Sequence, residues 1–352
     1  MILLNPGPVN VSERVRRALA GPDVCHREPE CAALLARIRA RLLQAFAPAG
    51  GFRAVLVAGS GTAAVEAAVA SVLSPRGRLV VVANGVYGER MADMCAAHGL
   101  DHVVVRGEAT APPDLARVED AVRAPGVEAV AIVHHETTTG FLEPVAEVGA
   151  IARRHGALLL VDAVSGLAGD ALDFDAASAD LVVGTSGKCI QAFPGIGFVL
   201  ARADALERLC RHPRRSVYLA LATYATSPMP FTPPVQVAYA LDEALAELLE
   251  EGVGARIARY AAAAALLRDG FERLGLACVL APEHRSNSIT SLHMPVGHTY
   301  ASLHDALRAR GFVVYEGQGR FARSLVRVAN MGALGPDDFR RFLAALGEVL
   351  GR

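Results

Sequence analysis

The sequence contains almost no lysine. Its 352 residues carry 35 lysine and arginine side chains, and 34 of these are arginine; Lys188 is the single exception. It also lacks long apolar runs. Stretches such as Leu79–Ala83 and Leu158–Val161 are far too short to span a bilayer and read as buried strands. No block of one charge stands out and the formal net charge is −1, which argues against a nucleic-acid or membrane surface while leaving room for a local basic pocket. The six cysteines (Cys25, Cys31, Cys95, Cys189, Cys210, Cys278) show neither CxxC nor Cys/His ligand spacing, so neither a metal site nor a disulfide framework is expected. The opening MILLNPGPVN has no basic n-region, and the expectation is a cytoplasmic protein without a signal peptide.

What is present is a foldable, apolar chain. Hydrophobic residues make up 52% and charged residues 20%, enough for a large core and two domains of ordinary size. From residue 54 onward, short β-branched runs alternate with helical stretches. The runs are Ala54–Val57, Leu79–Ala83, His102–Val105, Ala129–His134, Ala157–Asp162, Asp180–Gly184 and Ile196–Leu200; the helices fall near Thr62–Leu73, Val86–His98, Asp114–Arg123 and Val145–His155. Such alternation predicts βαβ crossovers and a mostly parallel sheet. After the Pro-rich segment Pro228–Pro234 comes an alanine-rich helical region, about Val235–Leu274. A smaller α/β unit follows, with strands at Ile289–His293, Val313–Tyr315 and Leu325–Ala329 and helices at Tyr300–Arg310 and Pro336–Leu350.

Where a positive charge suffices, this protein uses arginine, so Lys188 must do what arginine cannot. An amine can lose its proton and condense with an aldehyde; a guanidinium cannot. Taken alone, Lys188 also reads as a leftover surface lysine, and its surroundings decide. Gly59-Ser60-Gly61-Thr62 follows a strand and opens a helix, offering free N–H groups and hydroxyls to an anion, although a plain N-cap has the same sequence. Asp162 ends the strand ALLLVD, where an acid points into the crevice of an open α/β sheet or caps the next helix. Thr185-Ser186-Gly187-Lys188 ends the next strand. Phosphate turn, acid and lysine in this order, each at a strand end, fit a pyridoxal-phosphate (PLP) site in which Asp162 pairs with the ring nitrogen.

The same residues carry a family resemblance along nearly the whole chain. NPGPVNVSERV, Cys25–Glu30, GSGT, NGVYGER (Asn84–Arg90), HHETTTG (His134–Gly140), VDAVSG (Val161–Gly166), KCIQAFPGIGF (Lys188–Phe198) and VRVANMG (Val326–Gly332) resemble fold-type I, class V aminotransferases. ETTTG together with KCIQ-x-x-PG is most similar to the 2-aminoethylphosphonate–pyruvate transaminase branch. The resemblance implies an α/β PLP-transferase fold, with a large domain on a mostly parallel seven-stranded sheet and a smaller C-terminal α/β domain. The boundaries would be 1–15 for an N-terminal segment joining the small domain, 16–240 for the large domain and 241–352 for the small one. It implies a Schiff base on Lys188, which also serves as general base, and a ring nitrogen held by Asp162. Tyr87 would stack on the ring and Thr137 would bond near its hydroxyl or edge. Ser60, Gly61 and Thr62 would hold the phosphate, with Thr232 arriving from the partner of a homodimer. Arg327 would grip the substrate's acidic group with a bidentate fork, and Gly7 would close over the substrate. Without the motifs, Tyr87, Arg327 and Thr137 read as a core aromatic, a surface ion pair and a turn hydroxyl; His134 and His135 read as structural.

Two departures bear on this reading. Gly187 stands where these families carry an amide or other polar side chain, so one phosphate contact is lost or replaced. The stretch Arg214–Phe231 is shorter than usual near the mouth of the site. The expected activity is transfer of an amino group from 2-aminoethylphosphonate to pyruvate. The alternatives are an alanine- or serine–glyoxylate aminotransferase, a PLP lyase or desulfurase, or a non-catalytic phosphate-binding module.

Overall fold

The computed structural model describes residues 1–227 and 230–352; Pro228 and Met229, within the Pro-rich segment and the short Arg214–Phe231 stretch, lie outside the described residues. Seven strands form one sheet in the spatial order Phe52–Gly59, Gly195–Arg202, Leu181–Thr185, Leu158–Asp162, Val127–Val133, Arg78–Ala83 and Asp101–Arg106. All seven expected strands are therefore present. Gly195–Arg202 is antiparallel to both neighbours, and the remaining pairs are parallel.

The strands are apolar on both faces because helices cover both. Leu79 and Val81 fall in one apolar cluster and Val80 and Val82 in another, as alternation along a strand requires. Packing between strands is tight. A Cβ on Gly184 would lie 2.3 Å from the ring of Phe198, its partner on the antiparallel strand, so glycine makes room for a fully buried aromatic.

A second sheet holds Leu325–Ala329 between Ile289–His293 and Tyr315–Glu316. Its apolar cluster draws on Leu267 and Phe271, Leu303 and Leu307, and Phe339 and Phe342 from three helices. Leu4 belongs to this cluster, and Ile2–Leu3 pairs in parallel with Phe312–Val313. The expected strand Val313–Tyr315 is thus two short strands serving different sheets.

The helical region after Pro234 is likewise two helices, Val235–Glu251 and Val253–Arg273, broken at Gly252 with φ +86°. Glu251 spans the break by pairing with both Arg256 and Arg259. The first of these helices packs on Pro29–Phe46, which the strand–helix alternation did not predict. That helix begins at a proline and buries Leu34, Leu35, Ile38 and Leu42, an amphipathic pattern legible once the start is known.

Tyr260, fully buried, links the segment after Lys188 to the C-terminal unit. Its hydroxyl accepts from Gln191 Nε2 at 2.7 Å and from the Gly332 N–H at 3.1 Å. Tyr260→Phe leaves the Gly332 donor without that partner. A loss of about 1–3 kcal/mol is expected, read as a lower urea midpoint at unchanged slope.

Candidate active site

Parallel pairing decides where the three motifs meet. Asp162 ends a strand hydrogen-bonded alongside Leu181–Thr185, the strand that leads into Lys188. Phe52–Gly59 runs in the same direction two places away, so Ser60 emerges at the same sheet edge. The approach is close. A Cβ on Gly61 would lie 2.7 Å from Val164 Cγ1 and 3.2 Å from Thr185 Cβ. Ser60 caps the helix Gly61–Val72 by accepting from the Ala63 N–H at 3.3 Å, and Thr62 sits half-buried in its first turn. The helix's positive end therefore faces this edge.

The Lys188 amine donates to the Pro6 carbonyl. Gly7, with φ +101°, lies against the same side chain, where a Cβ would come within 3.0 Å of Nζ. Burial pulls the amine down to about 8; Arg327 and Arg90 push the same way, while Cys189 and Asp162 oppose. Asp162 Oδ1 accepts from the Val164 N–H at 3.0 Å, and Oδ2 has no hydrogen bond among the described residues. Burial pushes its carboxyl up to about 6, and the neighbouring Glu136 adds to the shift.

Tyr87 opens the helix Val86–Ala97, and its N–H donates to Glu136 Oε2 at 3.1 Å. Arg90, one turn on, places its guanidinium carbon 4.6 Å from the Tyr87 ring centroid, with Nη1 3.4 Å from Thr62 Oγ1. Tyr87, Arg90, Thr62, Asp162 and Val164 line one cavity. Thr137 is fully buried, and its hydroxyl has no partner among the described residues.

Arg327 is only 2% exposed, yet no carboxylate pairs with it among the described residues. Its Nε donates to Glu316 O at 2.8 Å, and Nη1 donates to Thr137 O at 2.8 Å and to Gln318 Oε1 at 3.1 Å. Nη2 alone is left over, so the fork expected from sequence is already half used. Thr232 is exposed and makes no hydrogen bond to this group of residues. Gly187 packs on Pro194, where a Cβ would lie 3.1 Å from Cα. His134 and His135 are buried and held neutral, pulled down by burial to about 4 and about 3.

Sequence reasoning assigned no role to Pro6, Arg90, Glu136 or Gln318. Arg90 had a signal, since it lies three residues after Tyr87 on one helix face.

Residues 18–332 match the family Aminotransferase class-V. The chain is a class-V aminotransferase. It is 37% identical to a 2-aminoethylphosphonate–pyruvate transaminase of Syntrophobacter fumaroxidans, with 100% of this chain and 96% of that protein covered. Among solved structures it is similar to pyridoxamine–pyruvate aminotransferase from Mesorhizobium loti, with TM-score 0.92, 28% identity and coverage of 100% and 93%. It is also similar to an alanine–glyoxylate aminotransferase from Nostoc sp., with TM-score 0.91, 29% identity and coverage of 99% and 95%. The architecture is that of PLP-dependent aminotransferases, and the cofactor of this class-V enzyme is pyridoxal phosphate. The residues fit that group. A helix N-terminus would suit its phosphate, a buried acid with one oxygen unbonded among the described residues its ring nitrogen, the orphaned Thr137 hydroxyl a polar ring edge, and a buried amine its aldehyde.

Because only a neutral amine attacks an aldehyde, capture of pyridoxal phosphate by apo-protein should accelerate about tenfold per pH unit up to about 8, then level off. Borohydride trapping and peptide mass mapping should place the internal adduct on Lys188 alone and lose it in Lys188→Ala.

Proposed function

We propose that this aminotransferase moves the amino group of 2-aminoethylphosphonate to pyruvate, giving phosphonoacetaldehyde and alanine. The observation that carries the reading is Arg327, a buried guanidinium that, among the described residues, has no carboxylate partner and leaves Nη2 unbonded, near enough to Lys188 for its charge to act on the amine. A buried cation of this kind is costly until an acidic ligand arrives. The name of the Syntrophobacter relative, matched over the full chain, supports a phosphonate as that ligand.

Bound pyridoxal phosphate supplies an aldehyde for the amine and a ring that withdraws electrons from the donor's amino-bearing carbon. Lys188 Nζ, neutral above about pH 8, takes the proton from that carbon and returns it one step along. The Asp162 carboxylate, ionised above about pH 6, would hold a proton on the ring nitrogen. Tyr87 would cover one ring face and Thr137 Oγ1, unpartnered among the described residues, would bond at the ring edge, while Ser60, Gly61 and Thr62 would hold the phosphate. Gly7 brings the NPGP segment against Lys188, which keeps water from the reacting carbon.

The same proposal includes a homodimer. Thr232 is exposed, and it acquires a role by reaching the neighbour's phosphate. It also includes the division at residues 15 and 240 and a cytoplasmic setting; no helix among the described residues is long and apolar enough to cross a membrane. Against a desulfurase, Cys189 beside the lysine is buried and its thiol is pushed up to about 12, mainly by burial.

A donor panel tests the reading. Alanine should accumulate with 2-aminoethylphosphonate and pyruvate, while alanine or serine with glyoxylate should turn over far more slowly; the reverse ranking would overturn the proposal. Arg327→Lys keeps the charge but loses the planar geometry. It should raise KM for the phosphonate roughly 10- to 100-fold in steady-state assays, as expected when a hydrogen bond to a charged group is lost.

A further inference from the structure

Arg327 is held by two backbone carbonyls and by one side chain, Gln318. A guanidinium can only donate, so the end of the amide facing Nη1 must be the carbonyl oxygen, and Nε2 is the end left over. Among the described residues Nε2 makes no hydrogen bond. Gln318 lines a cavity with Asn84, Val86, Glu89, Asp93 and Thr138, beside the one that Tyr87, Arg90 and Asp162 line; what brings its amide to the acid-group site is the bond to Arg327.

The turn that presents Gln318 is tightly built. A Cβ on Gly317 would lie 2.2 Å from the Phe321 carbonyl oxygen, so only glycine fits there. Gly319 has φ +56°, and a Cβ on it would come within 3.3 Å of Val86. Arg320 pairs with Glu108 at the surface beside the turn. Two glycines thus hold one amide beside the buried arginine.

We infer that Gln318 completes the acid-group subsite. Its oxygen is fixed on Nη1 of Arg327, which the Glu316 and Thr137 carbonyls already hold, and its Nε2 donates directly to the substrate, favouring a tetrahedral phosphonate over a flat carboxylate. This rests on the reading in which the amine donor carries a phosphonate. With Nε and Nη1 occupied, Arg327 offers the two hydrogens of Nη2, enough for the two oxygens of a carboxylate. The third oxygen of a phosphonate needs another donor. An amide supplies it without cancelling the charge on Arg327, whereas a carboxylate at position 318 would pair with the guanidinium and close the site.

The test compares inhibition by methylphosphonate and by acetate, each competing with the amine donor, in the PLP-loaded wild type and in Gln318→Met. The ratio of the two Ki values within one protein is insensitive to any misfolded fraction. In Gln318→Met the methylphosphonate Ki should rise roughly 10- to 100-fold and the acetate Ki no more than about 3-fold, with KM for 2-aminoethylphosphonate rising alongside the methylphosphonate Ki. Gln318→Glu should weaken both inhibitors by occupying Arg327. An equal rise for both inhibitors in Gln318→Met, or no rise, overturns the inference. A wild type that neither consumes 2-aminoethylphosphonate nor prefers methylphosphonate to acetate overturns the phosphonate reading itself, whatever the variants do.

Discussion

The site depends on keeping one amine buried without giving it a carboxylate. An acid against Lys188 would hold the proton on Nζ and end its use as a nucleophile. The structure supplies a backbone carbonyl instead, Pro6 O, which accepts the hydrogen bond without adding a full charge. That choice constrains the chain far from the lysine. Gly7 must take a positive φ and carry no side chain, and the segment before it must be anchored. The anchoring comes from Ile2–Leu3 pairing with Phe312–Val313 and from the Ala329 N–H donating to Leu4 O at 2.7 Å. The N-terminus is thereby fastened to the second sheet while it touches the lysine of the first.

The same economy of negative charge runs through the rest of the pocket. Arg327 is bound by neutral acceptors, and Arg90 rests on the Tyr87 ring and the Thr62 hydroxyl. The acids are placed differently. Glu136 is spent on the Tyr87 N–H and on Thr138, and Asp162 keeps one oxygen free. The buried histidines stay neutral, so they add no further positive charge. Cations with no direct ion pair among the described residues, together with a helix N-terminus turned inward, make the pocket a receptor for anions, as a phosphate-bearing cofactor and an acidic substrate require.

Much of the large sheet was legible because its signals are local. Runs such as Leu79–Ala83 are apolar on both faces, and only a covered strand explains that. The errors occurred where tertiary contacts override a local pattern. Val313–Tyr315 looks like one strand, but Val313 and Tyr315 are claimed by different neighbours. The break at Gly252 is hidden in an alanine-rich stretch whose propensity runs straight through it, and it is held by the pairing of Glu251 with Arg256 and Arg259.

At the site the division is similar, and its cause is instructive. Ser60, Asp162 and Lys188 could be found because each follows a strand, and strand ends in a parallel sheet share an edge. Gln318 could not be found that way. It lies in an irregular turn, and its partner Arg327 is reached only because Tyr315–Glu316 pairs back onto Leu325–Ala329. Pro6 is farther still, 182 residues from the lysine it touches. Residues that bear the chemistry sit where the sheet puts them and leave a pattern. Residues that tune it arrive through irregular turns, near in sequence like Gln318 or far like Pro6, and their identity makes sense only once the group they face is known.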